Sequence, residues 1–255
     1  MVNDNPVEIE LMADTGTSIV FAADLERTRG RAEHARVQDR MTRLADLLAD
    51  RYHDLLEVPA GVVDGDRLQI SVAISDEPEV ASRRAARLVE LICEADLRLG
   101  GVPLVHGIGL GTLDRTGGAL RGNAAELTGP AVDRTLAGIE EARRERLFLG
   151  AGGFPDDGAV RGAFSGLGVL MRGWTRRQSQ FVRALLQDGV LEFDGESRRF
   201  LPERKRKEVA ERFSVSPSVV TESLQAAQVR AFRDCMWGAA AALEHQAFGM
   251  SLTAR

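Results

Sequence analysis

The chain has 255 residues, 44% hydrophobic and 28% charged, with a formal net charge of −5. That size and balance suit a globular chain that buries a core in one large or two ordinary domains. The acidic total argues against non-specific nucleic-acid binding, while leaving room for a local basic patch.

Basic charge is carried almost wholly by arginine, Lys205 and Lys207 being the only lysines. The two cysteines, Cys93 and Cys235, each sit in an apolar helical pattern. They read as buried thiols of a reducing compartment rather than a disulfide or a metal site. The first residues show no basic segment followed by an apolar one, and no run approaches the roughly 18 apolar residues of a membrane span. A cytoplasmic location is the expectation.

Residues 1–16 are polar and are expected to be loose. Thr17–Asp24 reads as a buried strand ending in an acid, followed by a charged turn over Leu25–Gly30. A helix is predicted from Arg31 to His53, with Val37, Met41, Leu44, Leu47 and Leu48 at helical spacing. Two β-rich runs, Val58–Val63 and Leu68–Ala73, flank Asp64-Gly65-Asp66-Arg67, where the Asp-Gly step marks a hairpin. Pro78 opens a second helix that ends at Gly100-Gly101. Leu104–Thr112 is a further strand, with Gly107, Gly109 and Gly111 on one face, where another backbone or a ligand can approach. A third helix runs from Pro130 to about Arg146.

Strand, helix, strand, strand, helix, strand is the ferredoxin-like order of an α+β protein. It predicts a four-stranded antiparallel sheet with both early helices on one face, and Asp24 and Asp66 at neighbouring strand ends. Residues 17–150 form this domain, and 151–173 read as a glycine-rich connector with an edge strand at Arg146–Leu149. The remainder, 174–255, is predicted helical: Thr175 caps a helix over Arg176–Gln187, and a short hairpin spans Val190–Leu201. Helices from Glu203 to Phe213 and from Pro217 onward are joined by Ser214-Val215-Ser216 as a helix-turn-helix. A last apolar helix, through Leu243 and Phe248, is expected to pack on a neighbour or a second subunit.

Two sets of residues carry candidate chemistry. Asp24 and Asp66 offer paired carboxylates of the kind that hard cations such as Mg²⁺ take together with phosphates and water. From the pair alone, a strand-end aspartate and an Asp-Gly hairpin, the turn reading is preferred. Arg27 and Arg29 have the fork geometry for phosphate oxygens, or are solvated surface. In the helix-turn-helix, Ser216, Ser218, Thr221 and Gln225 open the second helix as base-contacting groups, with Arg204, Lys205, Arg206 and Lys207 for phosphates. The alternative is a module that binds protein or dimerises. No histidine spacing suits a metal and no P-loop occurs.

These pieces, AADLERTRGRAEHARVQDRM, GDRLQ, HGIGLGT, TGPAVDRTLAGIEEAR and the stretch from WTRRQ to VTESL, resemble the SatD family of bacterial proteins. More distantly, the first domain is similar to the palm of class III nucleotide cyclases. That resemblance implies that Asp24 and Asp66 bind Mg²⁺ or Mn²⁺. It also implies that the Leu25–Arg29 turn, through Leu25, Arg27, Thr28 and Arg29, meets nucleotide phosphates together with Gly65. Cyclases carry a transition-state Asn and Arg on the helix that here offers Asp133 and Ala137, and a base-reading lysine where this chain has Val62 and Val63. The implied function is a homodimeric regulatory protein that binds a purine nucleotide with metal and signals to DNA or a protein partner. The alternatives are an enzyme acting on nucleoside triphosphates, and an assembly protein with a vestigial palm.

Overall fold

The structure is a computed structural model that describes residues 16–25, 31–75, 77–100, 102, 104–114, 122–189 and 203–248. These residues form an α+β protein. In chain order come β1 (Thr17–Leu25), α1 (Arg31–Arg51), β2 (Gly61–Val63), β3 (Arg67–Ala73), α2 (Pro78–Leu99) and β4 (Leu104–Thr112). A 3₁₀ turn at Ala124–Glu126 precedes α3 (Pro130–Glu145), β5 (Leu149–Gly152) and α4 (Asp157–Arg172). Then follow α5 (Arg176–Gln187), α6 (Glu203–Arg212), α7 (Pro217–Ala226) and α8 (Val229–Leu243), the last running into a π turn at Glu244–Phe248.

The sheet order is β2-β3-β1-β4-β5. Central β1 is antiparallel to both neighbours, pairing Asp24 with Arg67 on one side and with Val105 on the other. The expected four-stranded antiparallel sheet is therefore a five-stranded mixed one. β5 runs parallel to β4, with Ile108 opposite Ala151, and α3 supplies the crossover that a parallel pair requires. It lies slightly beyond the anticipated edge strand, because Arg146 ends α3 in the left-handed region at φ 57° and two further residues bring the chain to the sheet. The hairpin is also shorter than expected. Val58 to Ala60 do not pair; instead the Glu57 N–H donates to Ser71 (3.1 Å) and the Pro59 carbonyl accepts from Ala124 (2.8 Å).

Period-two alternation divides β1 between two layers. Ile19, Phe21, Ala23 and Leu25 join the core beneath α1 and α2, whereas Val20 and Ala22 belong to the smaller clusters beneath α3. The glycines of β4 serve this second layer. A Cβ at Gly107 would strike the Thr135 carbonyl, and one at Gly109 the Ala131 carbonyl. Thr135 Oγ1 donates to the Val20 carbonyl (3.0 Å) and Arg134 Nη1 to the Leu110 carbonyl (2.6 Å), fastening α3 flat against the sheet. The glycine face is thus filled by helix backbone, not by a ligand.

The stretch read as a glycine-rich connector contains a four-turn helix. Asp156 caps α4 by accepting from the Ala159 N–H (2.9 Å), and Val160, Phe164, Leu167 and Met171 form its buried stripe. Two of its glycines are contact points: a Cβ at Gly168 would strike Phe148, and one at Gly166 would lie 2.9 Å from Cys235 Sγ. Cys235 is only half-buried, against the expectation of two buried thiols, whereas Cys93 is buried.

Thr175 and Gln178 form a complete capping box at the start of α5, as the sequence suggests. The link from α6 to α7 turns at Ser214, φ 52°. α8 packs on α2 and α4 of its own chain. One apolar core consequently runs unbroken from Phe21 and Ile70 to Phe181 and Phe232. The hairpin anticipated at 190–201 lies outside the described residues.

Candidate site at the end of the central strand

The β2–β3 turn brings Asp66 to the last residue of β1. Asp64 (φ 52°) and Gly65 (φ 83°) both take left-handed backbone, which the Asp-Gly step favours. The turn is closed by the Asp66 N–H donating to Val63 (3.2 Å), and the Leu25 N–H donates to the Asp66 carbonyl (3.2 Å). Leu25 is therefore not a free phosphate donor: its side chain is buried and its amide is committed. Gly65 packs against the Gln38 side chain, which a Cβ would strike. Asp64 is exposed at the turn. Arg27, Thr28 and Arg29 lie outside the described residues.

Asp66 lies close enough to Asp24 for its charge to be felt there. Burial raises the Asp24 carboxyl above its ordinary value, Arg143 opposes this by charge and hydrogen bond, and Asp66 adds a further upward push. The Asp24 carboxylate accepts from Arg143 Nη2 of α3 in a tight ion pair, with side chains 15% and 33% exposed. Glu140 holds the same guanidinium.

Sequence reasoning missed Arg143. A signal existed, since Ala131, Thr135, Ile139 and Arg143 recur every fourth residue along the face that meets the sheet. Asp133 and Ala137 are exposed instead.

Among the described residues no group of three or more His, Cys, Asp or Glu side chains is arranged to hold a metal ion. Two neighbouring carboxylates fit a cation such as Mg²⁺ or Mn²⁺ only as part of its shell, with phosphates and water completing it.

The C-terminal candidates are engaged with their own helices. Arg204 and Lys205 both pair with Glu208 (2.9 Å each), and Lys207 with Glu203 (2.9 Å). On α7, Ser216 Oγ accepts from the Val219 N–H (3.4 Å) and meets Ser218 Oγ (2.8 Å), while Thr221 Oγ1 donates to the Pro217 carbonyl (2.9 Å). Ser216, Ser218 and Gln225 are exposed and Thr221 is half-buried.

A scan against protein-family models and searches of curated proteins and solved structures found no match. No helix among the described residues is long and apolar enough to cross a membrane.

Proposed function

We propose that the chain is a SatD-like regulatory protein whose sheet domain is a ferredoxin-like palm that binds a purine nucleotide together with Mg²⁺ or Mn²⁺. The observation that carries this reading is the electrostatic coupling of Asp24 and Asp66 at the joined ends of β1 and the β2–β3 turn. The β2-β3-β1-β4 part of the sheet, with α1 and α2 over one face, supports the palm. Asp24 and Asp66 would hold the cation, which supplies charge neutralisation to the nucleotide phosphates. Arg143 balances Asp24 until a cation takes that role. Asp133 and Ala137 supply no donor to a developing phosphate charge, which favours binding over efficient turnover.

Output runs through α6 and α7, read as a helix-turn-helix. Five basic residues on α6 face three acidic ones, so its net positive charge is small. That balance favours a protein partner, a second copy included, over DNA.

Calorimetric titration of ATP and GTP with Mg²⁺ or Mn²⁺, on the wild type and on Asp66→Asn, tests the site. Metal-dependent binding lost in the variant is the expected result. Conversion of the bound nucleotide, followed by chromatography, would establish the enzyme reading instead. No heat with either nucleotide would leave the palm vestigial.

A further inference from the structure

A cleft of about 870 Å³ lies between the sheet domain and the C-terminal helices. It is walled by Arg40 of α1, the ends of α2 and α3, the start of β4, the end of α4 and the first turns of α5. Such a volume, between two parts of a chain, is the usual setting of a small-ligand site.

Its charge is unlike that of the whole. The chain carries 38 acidic residues against 33 basic ones, yet the described lining holds Arg40, Arg98, Arg146, Arg172, Arg176 and Arg183 against the single carboxylate of Asp96. Two of the six are answered locally. Arg98 pairs with the buried Glu94 (2.7 Å), and the charge of Arg172 bears on Asp96. Arg40 donates to the Arg98 carbonyl (3.2 Å), a neutral acceptor. Arg146, Arg176 and Arg183 have no carboxylate within ion-pair distance among the described residues. Burial and the neighbouring Arg98 charge lower the Arg183 guanidinium from its ordinary value, and the charge of the buried Glu94 opposes them from beyond ion-pair distance.

Four guanidinium groups, from α1, α5 and the residue that ends α3, thus converge on one concavity, with no carboxylate within ion-pair distance among the described residues. Guanidinium forks match phosphate oxygens two at a time, and several forks spaced around a cleft match several linked phosphates.

We propose that this cleft is a binding site for a small molecule bearing two or more linked phosphate groups, held by Arg40, Arg146, Arg176 and Arg183 without a metal ion. Neither Asp24 nor Asp66 lines it, although Val105, the strand partner of Asp24, does.

The probe is inorganic tripolyphosphate, titrated calorimetrically into the full chain at low salt with EDTA present. The expected result is a single site that weakens as salt is added. Arg176→Gln and Arg183→Gln should each weaken it roughly tenfold or more, the scale of a charge-assisted contact. Asp66→Asn, which removes a palm carboxylate, should leave it unchanged. Circular dichroism establishes that each variant is folded, and Arg176→Lys should recover part of the affinity. Absence of binding in the wild type, unchanged affinity in both arginine variants, or equal affinity for citrate would overturn the proposal. So would preference of the same arginines for duplex DNA over tripolyphosphate.

Discussion

Arg143, in the last turn of α3, holds the carboxylate of Asp24, the penultimate residue of β1. The contact spans 119 positions of sequence and joins the helix to the strand end where Asp66 arrives. Removing the arginine leaves a half-buried carboxylate facing Asp66. Arg143→Ala should destabilise the fold by about 1–2 kcal/mol near neutral pH, less than a fully buried pair because the guanidinium is 33% exposed.

The pH dependence gives a second readout of the same pair. Burial raises Asp24 above 3.8, so the folded chain keeps this proton to higher pH than the unfolded chain does. The associated stability is greatest below the unfolded value and declines as pH rises through the folded one. Arg143→Ala should deepen that decline, and Asp24→Asn should abolish it. Urea unfolding from about pH 4 to about pH 7 measures both. A decline unchanged in Asp24→Asn would mean that another group causes it.

His106 should act in the opposite sense. It is fully buried between the rings of Phe21 and Phe148, with centroids 5.7 and 4.7 Å away. Its Nδ1–H donates to the Phe148 carbonyl (3.1 Å), and Nε2 is 3.5 Å from Asp96, too far for a strong hydrogen bond. Burial lowers its pKa below 6.5, with Arg172 adding to the shift and Asp96 opposing it. An unfolded chain then takes up this proton before the folded one, so stability falls as pH drops below the unfolded value. His106→Gln should flatten that acid limb in urea titrations, whatever its effect on stability near neutrality.

Glu94 is a buried carboxylate that depends on its partners. Tyr52 Oη donates to it (2.8 Å), as does Arg98 Nε (2.7 Å), and Arg51 Nε lies 3.2 Å away. Arg87 covers the Tyr52 ring at 4.6 Å. Tyr52→Phe removes one donor and should cost about 1–3 kcal/mol. Glu94→Ala strands two arginines and should cost about 3–5 kcal/mol by denaturant unfolding. Near-equal values would place the weight of the cluster on the tyrosine.

Glycine substitutions should divide by position. Gly150 meets the Gly138 backbone where β5 crosses α3, so Gly150→Ala forces helix and strand apart. It should cost about 3 kcal/mol, the upper end for overpacking. An added Cβ at Gly162, in the middle of α4, meets nothing within 4 Å, and Gly162→Ala should stabilise by about 0.5–1 kcal/mol. Thermal unfolding of the two variants should move in opposite directions.

Much of the fold is legible because local signals agree with it. Pro78, Pro130, Thr175 and Pro217 mark helix starts, and Asp64-Gly65 marks the turn that the backbone takes. α4 was hidden by its own glycines, although Val160, Phe164, Leu167 and Met171 keep helical period. The edge strand anticipated at Arg146–Leu149 falls short of β5, Leu149–Gly152, whose glycines answer the close approach of α3 and carry little strand signal. At the site, the approach of Asp66 to Asp24 follows from strand order. The spacing of Ala131, Thr135, Ile139 and Arg143 puts Arg143 on the sheet-facing side of α3, but its pairing with Asp24 depends on how α3 docks, which that pattern does not specify.

The account rests on Asp24 and Asp66 acting together on a cation that carries a nucleotide. Electron paramagnetic resonance of Mn²⁺, titrated into the full chain with and without GTP or ATP, tests it most directly. One Mn²⁺ should leave solution per chain only when nucleotide is present, and Asp24→Asn and Asp66→Asn should each abolish this while Arg176→Gln retains it. Nucleotide-dependent Mn²⁺ uptake that survives both aspartate variants, or no uptake by the wild type, would contradict the account.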